Sequence, residues 1–93
     1  MKEKVRAEIV VGGLVQGVGF RYYVFSQAEK LNLTGYVKNL YTGEVYTVVE
    51  GPRHLIEEFF KKLKVGPMHA QVKDASVRWM NSKKEFTRFE IRY

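Results

Sequence analysis

The chain has 93 residues, enough for one domain and no more. It carries no cysteine, which excludes a disulfide framework, a thiolate nucleophile and a zinc-thiolate site, and agrees with a reducing cytoplasm. The net charge of +6 favours anionic partners, and both a small phosphorylated metabolite and a nucleic-acid backbone fit it.

A domain of this length buries roughly 60 to 65 % of its unfolded surface. Its 45 % of hydrophobic residues suffices for one core. The opening Met1-Lys2-Glu3-Lys4-Val5-Arg6 lacks the apolar run of a signal peptide. No stretch approaches membrane-spanning length, and no repeat or low-complexity segment is found.

Val5, Ala7, Ile9 and Val11 alternate with Arg6, Glu8 and Val10, which predicts a strand with one face on a core. A glycine-rich stretch, Gly13-Leu14-Val15-Gln16-Gly17-Val18-Gly19-Phe20-Arg21, then ends that strand. From Phe20 the period changes. Phe20, Val24, Ala28 and Leu31 recur at helical spacing, and the helix is expected to end near Asn32. Gly35 to Leu40 and Val45 to Gly51 read as strands, joined by the turn signal Tyr41-Thr42-Gly43 into a hairpin.

Pro52 suits the first turn of a second helix. Leu55, Ile56, Phe59, Phe60 and Leu63 form its apolar stripe. Glu57–Lys61 and Glu58–Lys62 stand at favourable i to i+4 spacing on its surface. Gly66-Pro67 stops it. Gln71 to Met80 is strand-like, Asn81 to Lys84 turns, and Phe86 to Tyr93 alternates again. Strand, helix, strand, strand, helix, strand and a short last strand describe an α+β fold. This is a ferredoxin-like βαββαβ sandwich, with two helices on one face of a mostly antiparallel sheet.

The chemistry centres on the glycine stretch. Three glycines in seven residues let a backbone curl so that its N–H groups converge on an anion. The helix behind points its partly positive end at the same place. Arg21, in the first helical turn, offers a guanidinium fork that matches two phosphate oxygens. The stretch reads as a phosphate cradle formed by Val15, Gln16, Gly17, Val18, Gly19 and Phe20. A plain strand-to-helix connector would use the same glycines. The spacing is neither a Walker loop nor a dinucleotide fingerprint.

Val11-Gly12-Gly13-Leu14-Val15-Gln16-Gly17-Val18-Gly19-Phe20-Arg21 resembles the first signature of the acylphosphatase family. Gly35-Tyr36-Val37-Lys38-Asn39, Gly43-Glu44-Val45 and Gly51 resemble its second. The resemblance runs from about Val5 to Tyr93, and it implies the ferredoxin-like fold and hydrolysis of acyl phosphates to carboxylate and inorganic phosphate. It carries the catalytic arginine onto Arg21 and the catalytic asparagine onto Asn39. It implies no cofactor and no metal. Leu14 stands where many members have a basic residue. Read without the family, Asn39 would only terminate a strand.

His54 and His69 are fifteen residues apart and are expected at the surface, not on a metal. Asp74 is expected to be exposed. The Tyr93 carboxylate is a candidate partner for Arg21. Two competing readings are an RNA-binding ferredoxin-like domain and a phosphate- or carbamoyl-phosphate-binding regulatory module. The RNA reading would stack bases on Tyr22, Tyr23, Tyr36, Tyr41, Tyr46 or Trp79, but Val45 to Gly51 lacks the aromatic pattern of an RNA-recognition strand. The expected partners are a small acyl phosphate and inorganic phosphate, with no membrane and with the chain a cytoplasmic monomer.

Overall fold

A computed structural model describes residues 3–93. Met1 and Lys2, which head the segment expected to lack a signal-peptide core, lie outside the described residues. The elements are β1 (Lys4–Leu14), α1 (Phe20–Lys30), β2 (Thr34–Asn39), β3 (Val45–Pro52), α2 (Arg53–Val65), β4 (Gln71–Asn81) and β5 (Phe89–Arg92). They form one five-stranded sheet in the order β4-β1-β3-β2-β5. All neighbours are antiparallel except β2 and β5, which run parallel. This is the expected ferredoxin-like sandwich, and it places the last strand at the edge beside β2.

The pleat decides what each face carries. Register sets Ala7, Ile9 and Val11 beside Val49, Thr47 and Val45. Val37 follows from β2 and Ile91 from β5. This face meets Phe20, Val24 and Ala28 of α1 and Ile56, Phe59 and Leu63 of α2, all fully buried. The periodicities of two and of 3.6 thus converge on one core.

Three boundaries and one surface ion pair differ from the sequence reading. The first strand does not stop at Val11. It runs through Gly12 and Gly13 to Leu14, because β4 continues to pair with it past a bulge between those glycines. The first helix stops at Lys30, two residues early. Asn32 adopts a left-handed conformation at φ 59°. Its N–H donates to Glu29 O at 3.2 Å, and that of Leu33 donates to Ala28 O at 2.9 Å. Those two bonds are a Schellman cap, which satisfies the last carbonyls and buries Leu33 against the core. On α2 the closed ion pair is Arg53–Glu57 at 3.3 Å rather than Glu57–Lys61 or Glu58–Lys62. The final strand keeps only Phe89–Arg92, because Phe86 instead packs edge-on against Tyr36 with ring centroids 5.8 Å apart.

That packing lies on the sheet face away from the helices. Arg6, which alternation assigned to the polar side of β1, is 91 % buried there (9 % exposed). Its guanidinium donates to Glu50 at 3.2 Å and to Glu85, and lies 5.2 Å over the Phe86 ring. Glu50 also accepts from Ser82 Oγ at 3.2 Å and from the Lys83 N–H at 2.8 Å. Together these contacts strap the 82–88 connection across the sheet.

The Arg6 hydrogen bond, opposed by partial desolvation and reinforced by the charge of Arg6, holds the Glu85 carboxyl below its ordinary value of 4.5. A depressed carboxyl stabilises the fold above its ordinary pKa and loses that contribution as pH falls through the depressed value. Thermal melts of wild type and Glu85→Gln should therefore differ at pH 7 and converge as pH falls through the depressed value. Melting curves that stay equally separated down to pH 3 would remove the pairing.

Candidate active site

The loop between β1 and α1 is pinned at both ends. Val15 and Phe20 are buried at 0 % and 1 % exposure. Between them the chain turns through Gln16 to Gly19. Gly17 and Gly19 both take φ 77°, a left-handed backbone that other residues resist. An added Cβ would meet nothing within 4 Å at either glycine, so the backbone angle, not crowding, demands them. No backbone acceptor pairs with the N–H groups of Val15, Gln16, Gly17, Val18 or Gly19 among the described residues. The first helical N–H groups of α1 are free for the reason common to helix starts. Gly19 caps the helix, and its carbonyl accepts from the Tyr23 N–H at 3.0 Å.

A cavity of about 230 Å³ opens over this turn. Backbone or side chain of Val15, Gly17, Gly19, Phe20, Arg21 and Asn39 lines it. The expected arginine, asparagine and loop therefore converge. Gln16 and Val18 do not line it, although both were assigned to the cradle. A larger cleft of about 820 Å³ lies by Glu50, Ser82 and Phe86 and holds none of the expected residues.

Asn39 is the last residue of β2, on the helix-facing side. Its Oδ1 is buried without a hydrogen-bond partner. Arg21 makes no ion pair among the described residues. Tyr93 does reach it, but through its ring, which lies 4.5 Å from the guanidinium carbon, and not through its carboxylate. Tyr93 is 96 % exposed, so its ring forms an outer wall against which Arg21 lies. Leu14 is half-exposed just before the loop.

Sequence reasoning missed the side chain of Gln16. Its Nε2 donates to Leu40 O at 2.7 Å and to Glu44 O at 2.9 Å, both in the turn that follows Asn39. A glutamine inside a glycine loop carries no local signal of such a reach. His54, His69 and Asp74 are exposed, as expected. Among the described residues no three His, Cys, Asp or Glu side chains gather as a metal site would require. No helix among them is long and apolar enough to cross a membrane.

The profile of the acylphosphatase family matches residues 7–91. The chain belongs to the acylphosphatase family. An acylphosphatase of Moorella thermoacetica is 48 % identical over 88 residues, which is 95 % of this chain and 94 % of that protein. The crystal structure of acylphosphatase from Bacillus subtilis superposes with a TM-score of 0.93 at 40 % identity, covering 96 % of this chain and 99 % of the other. Full-length HypF in a phosphate- and nucleotide-bound form matches with a TM-score of 0.87 at 33 % identity. That match covers all of this chain but 12 % of HypF.

The Tyr93 contact gives a test of what fixes Arg21. An exposed cation–π contact contributes roughly 0.5–1 kcal/mol, or about two- to fivefold in binding. Tyr93→Ala should weaken inhibition by inorganic phosphate by about that factor, while Tyr93→Phe should keep it. Equal phosphate inhibition constants for both variants would show that the ring does nothing for Arg21.

Proposed function

We propose that this acylphosphatase holds the phosphoryl group of an acyl phosphate in the Val15–Phe20 turn under Arg21, and that Asn39 aims the attacking water. The reaction is that of its family: the bond between phosphorus and a carboxyl oxygen is hydrolysed to a carboxylate and inorganic phosphate. The observation that carries the assignment of roles is the buried, unpartnered Oδ1 of Asn39 in the same cavity as Arg21 and the loop. Buried polar atoms nearly always have a partner. An acceptor left open in a cavity of this size is suited to a water, which donates one O–H to it and turns a lone pair towards phosphorus.

Each remaining role follows from charge. The unpaired N–H groups of the turn and the start of α1 face the phosphoryl oxygens. Phosphoryl transfer needs mostly positioning and charge stabilisation, and these groups supply both. Arg21, free of any carboxylate partner among the described residues, clamps two oxygens with its fork and neutralises the charge that grows on them. Water oxygen bonds to phosphorus while the bond to the carboxyl oxygen breaks, and its electron pair leaves with the carboxylate. A carboxylic acid has a pKa near about 4, so that group departs without a proton. The proton lost by water passes to a phosphate oxygen of the substrate. The chemistry therefore calls for no histidine, carboxylate or metal ion in the chain.

The alternative readings gain less support. On the open sheet face, the Arg92 guanidinium carbon lies 3.9 Å from the Tyr36 ring centre and the Lys38 ammonium 5.8 Å from that of Tyr46. Those cations occupy ring surface that a base would need. A regulatory module that binds without turnover would have no use for the open acceptor on Asn39. A cytoplasmic monomer that needs no second chain at its site is the simplest setting for this chemistry.

Release of phosphate from benzoyl phosphate tests the proposal. Turnover should resist a chelator. Asn39→Ala should lower kcat about 10²- to 10³-fold, the effect of losing one preorganised polar group, while inorganic phosphate still competes. Arg21→Ala should lose both binding and turnover, and Arg21→Lys should not restore them, because an ammonium lacks the fork. Near-normal turnover by Asn39→Ala would end the water-positioning role.

A further inference from the structure

Gln16 sits inside the phosphate turn, yet its side chain points away from the substrate's place. It does not line the cavity. Both hydrogens of its amide are used, one on Leu40 O at 2.7 Å and one on Glu44 O at 2.9 Å. No side-chain donor is left for a phosphoryl oxygen, and its carbonyl oxygen would repel one.

The two acceptors are the carbonyls that close the β2–β3 turn. Leu40 N–H donates to Glu44 O at 2.8 Å, and Gly43 N–H donates to Leu40 O at 3.1 Å. Gln16 therefore fills the second acceptor position of each carbonyl. The turn's other side-chain bonds are internal: Thr42 Oγ1 donates to Glu44 Oε1 at 2.9 Å and accepts from the Glu44 N–H at 3.4 Å, so neither ties the turn to the phosphate loop. Tyr41 is fully exposed, Thr42 is exposed, and Gly43 takes φ 99°. Exposed turn tips of this kind are among the most mobile parts of a fold. Asn39 is the residue immediately before this turn and ends its strand.

We propose that Gln16 is a positioning residue that acts through Asn39. It ties the phosphate turn to the end of β2, so that the group holding phosphate and the group aiming water keep one fixed separation. This rests on the water-aiming role of Asn39 proposed above. In-line attack is sensitive to placement, and a displacement of about 1 Å can cost up to about 100-fold in rate. A tether of two hydrogen bonds into carbonyls that are themselves engaged is stiffer than either bond alone. The function of Gln16 is then geometric, and the loss of its donors is felt in kcat and not in phosphate affinity.

A double-mutant cycle on benzoyl phosphate hydrolysis tests this. Gln16→Met keeps length and loses both donors. Gln16→Glu keeps shape and sets a carboxylate against two carbonyls. In the wild-type background either change should lower kcat about tenfold or more and leave the inhibition constant of inorganic phosphate within about twofold. In the Asn39→Ala background either change should lower kcat no further, because there is no aimed water left to misplace. An effect of Gln16→Met that multiplies with that of Asn39→Ala would overturn the proposal, as would an unchanged kcat or a loss that follows phosphate affinity. If Asn39→Ala itself leaves kcat intact, the water-aiming role fails; if Asn39→Ala abolishes turnover and Gln16→Met does not, the tether alone fails. Should both Gln16 variants unfold, proton exchange of the Gln16 side-chain amide in the wild type decides. Exchange much slower than that of the exposed Gln71 supports the tether, and equal rates remove it.

Discussion

The proposed active site depends on a backbone turn that leaves its own donors unpaired. Five successive N–H groups, from Val15 to Gly19, have no backbone acceptor among the described residues. A buried donor without a partner costs about 1–3 kcal/mol, so such a turn cannot sit in the core and would not hold its shape if left free at the surface. The fold resolves this by anchoring the turn at its ends. Val15 and Phe20 go into the core, and between them Gly17 and Gly19 face a cavity. Gly17 and Gly19 take the left-handed backbone with little strain. The donors are thereby held ready before any anion arrives, which is the condition for stabilising developing charge without reorganisation.

Sheet order brings the second half of the site to the first. Val11 and Asn39 both face Val45 in the register, one from β1 and one from β2. Strands lie about 4.8 Å apart, so these two positions are separated by about 10 Å across β3. Both strands run the same way and end at the same edge of the sheet. The turn after β1 and the asparagine ending β2 therefore meet at one rim, with the first turn of α1 and Arg21 above them. Gln16 bridges this rim over the start of β3. Chain order alone separates Arg21 from Asn39 by 18 positions (39 minus 21), about half of them in α1. The crossover helix lets distant segments share a cavity.

The sequence displayed most of this. Alternation in β1 and β3, the apolar stripes of α1 and α2, and the glycine punctuation gave the element order and the helix-facing core. The glycine turn with Arg21 reads as a candidate anion site from backbone chemistry, Asn39 joins it only through the family pattern, and the structure adds that they line one cavity. What escaped were interactions with no local signature. Arg6 occupies a polar position of an alternating strand, yet the 82–88 connection folds over it from far along the chain and buries it. The end of α1 is set by the left-handed Asn32 and the two hydrogen bonds beyond it, which compete with a helical pattern that continues to Leu31. The aromatic ring of Tyr93, not its carboxylate, meets Arg21, a choice of geometry that residue type does not settle.

Two buried side-chain atoms lack partners among the described residues, Arg6 Nε and Asn39 Oδ1, and the contrast between them is informative. Arg6 is already engaged. Its Nη1 meets two carboxylates, and a buried idle Nε–H is a small loss in a group fixed by strong contacts. Asn39 Oδ1 has no such compensation, since it is the only side-chain acceptor that the residue owns. An aspartate there would place a negative charge beside the phosphoryl group, and a leucine would satisfy the core with no open acceptor. Asparagine is the neutral choice that keeps an acceptor open in the cavity, at a standing cost in stability. A rule of folding is broken at the one place where breaking it leaves room for a water, and the rest of the chain is built well enough to tolerate it.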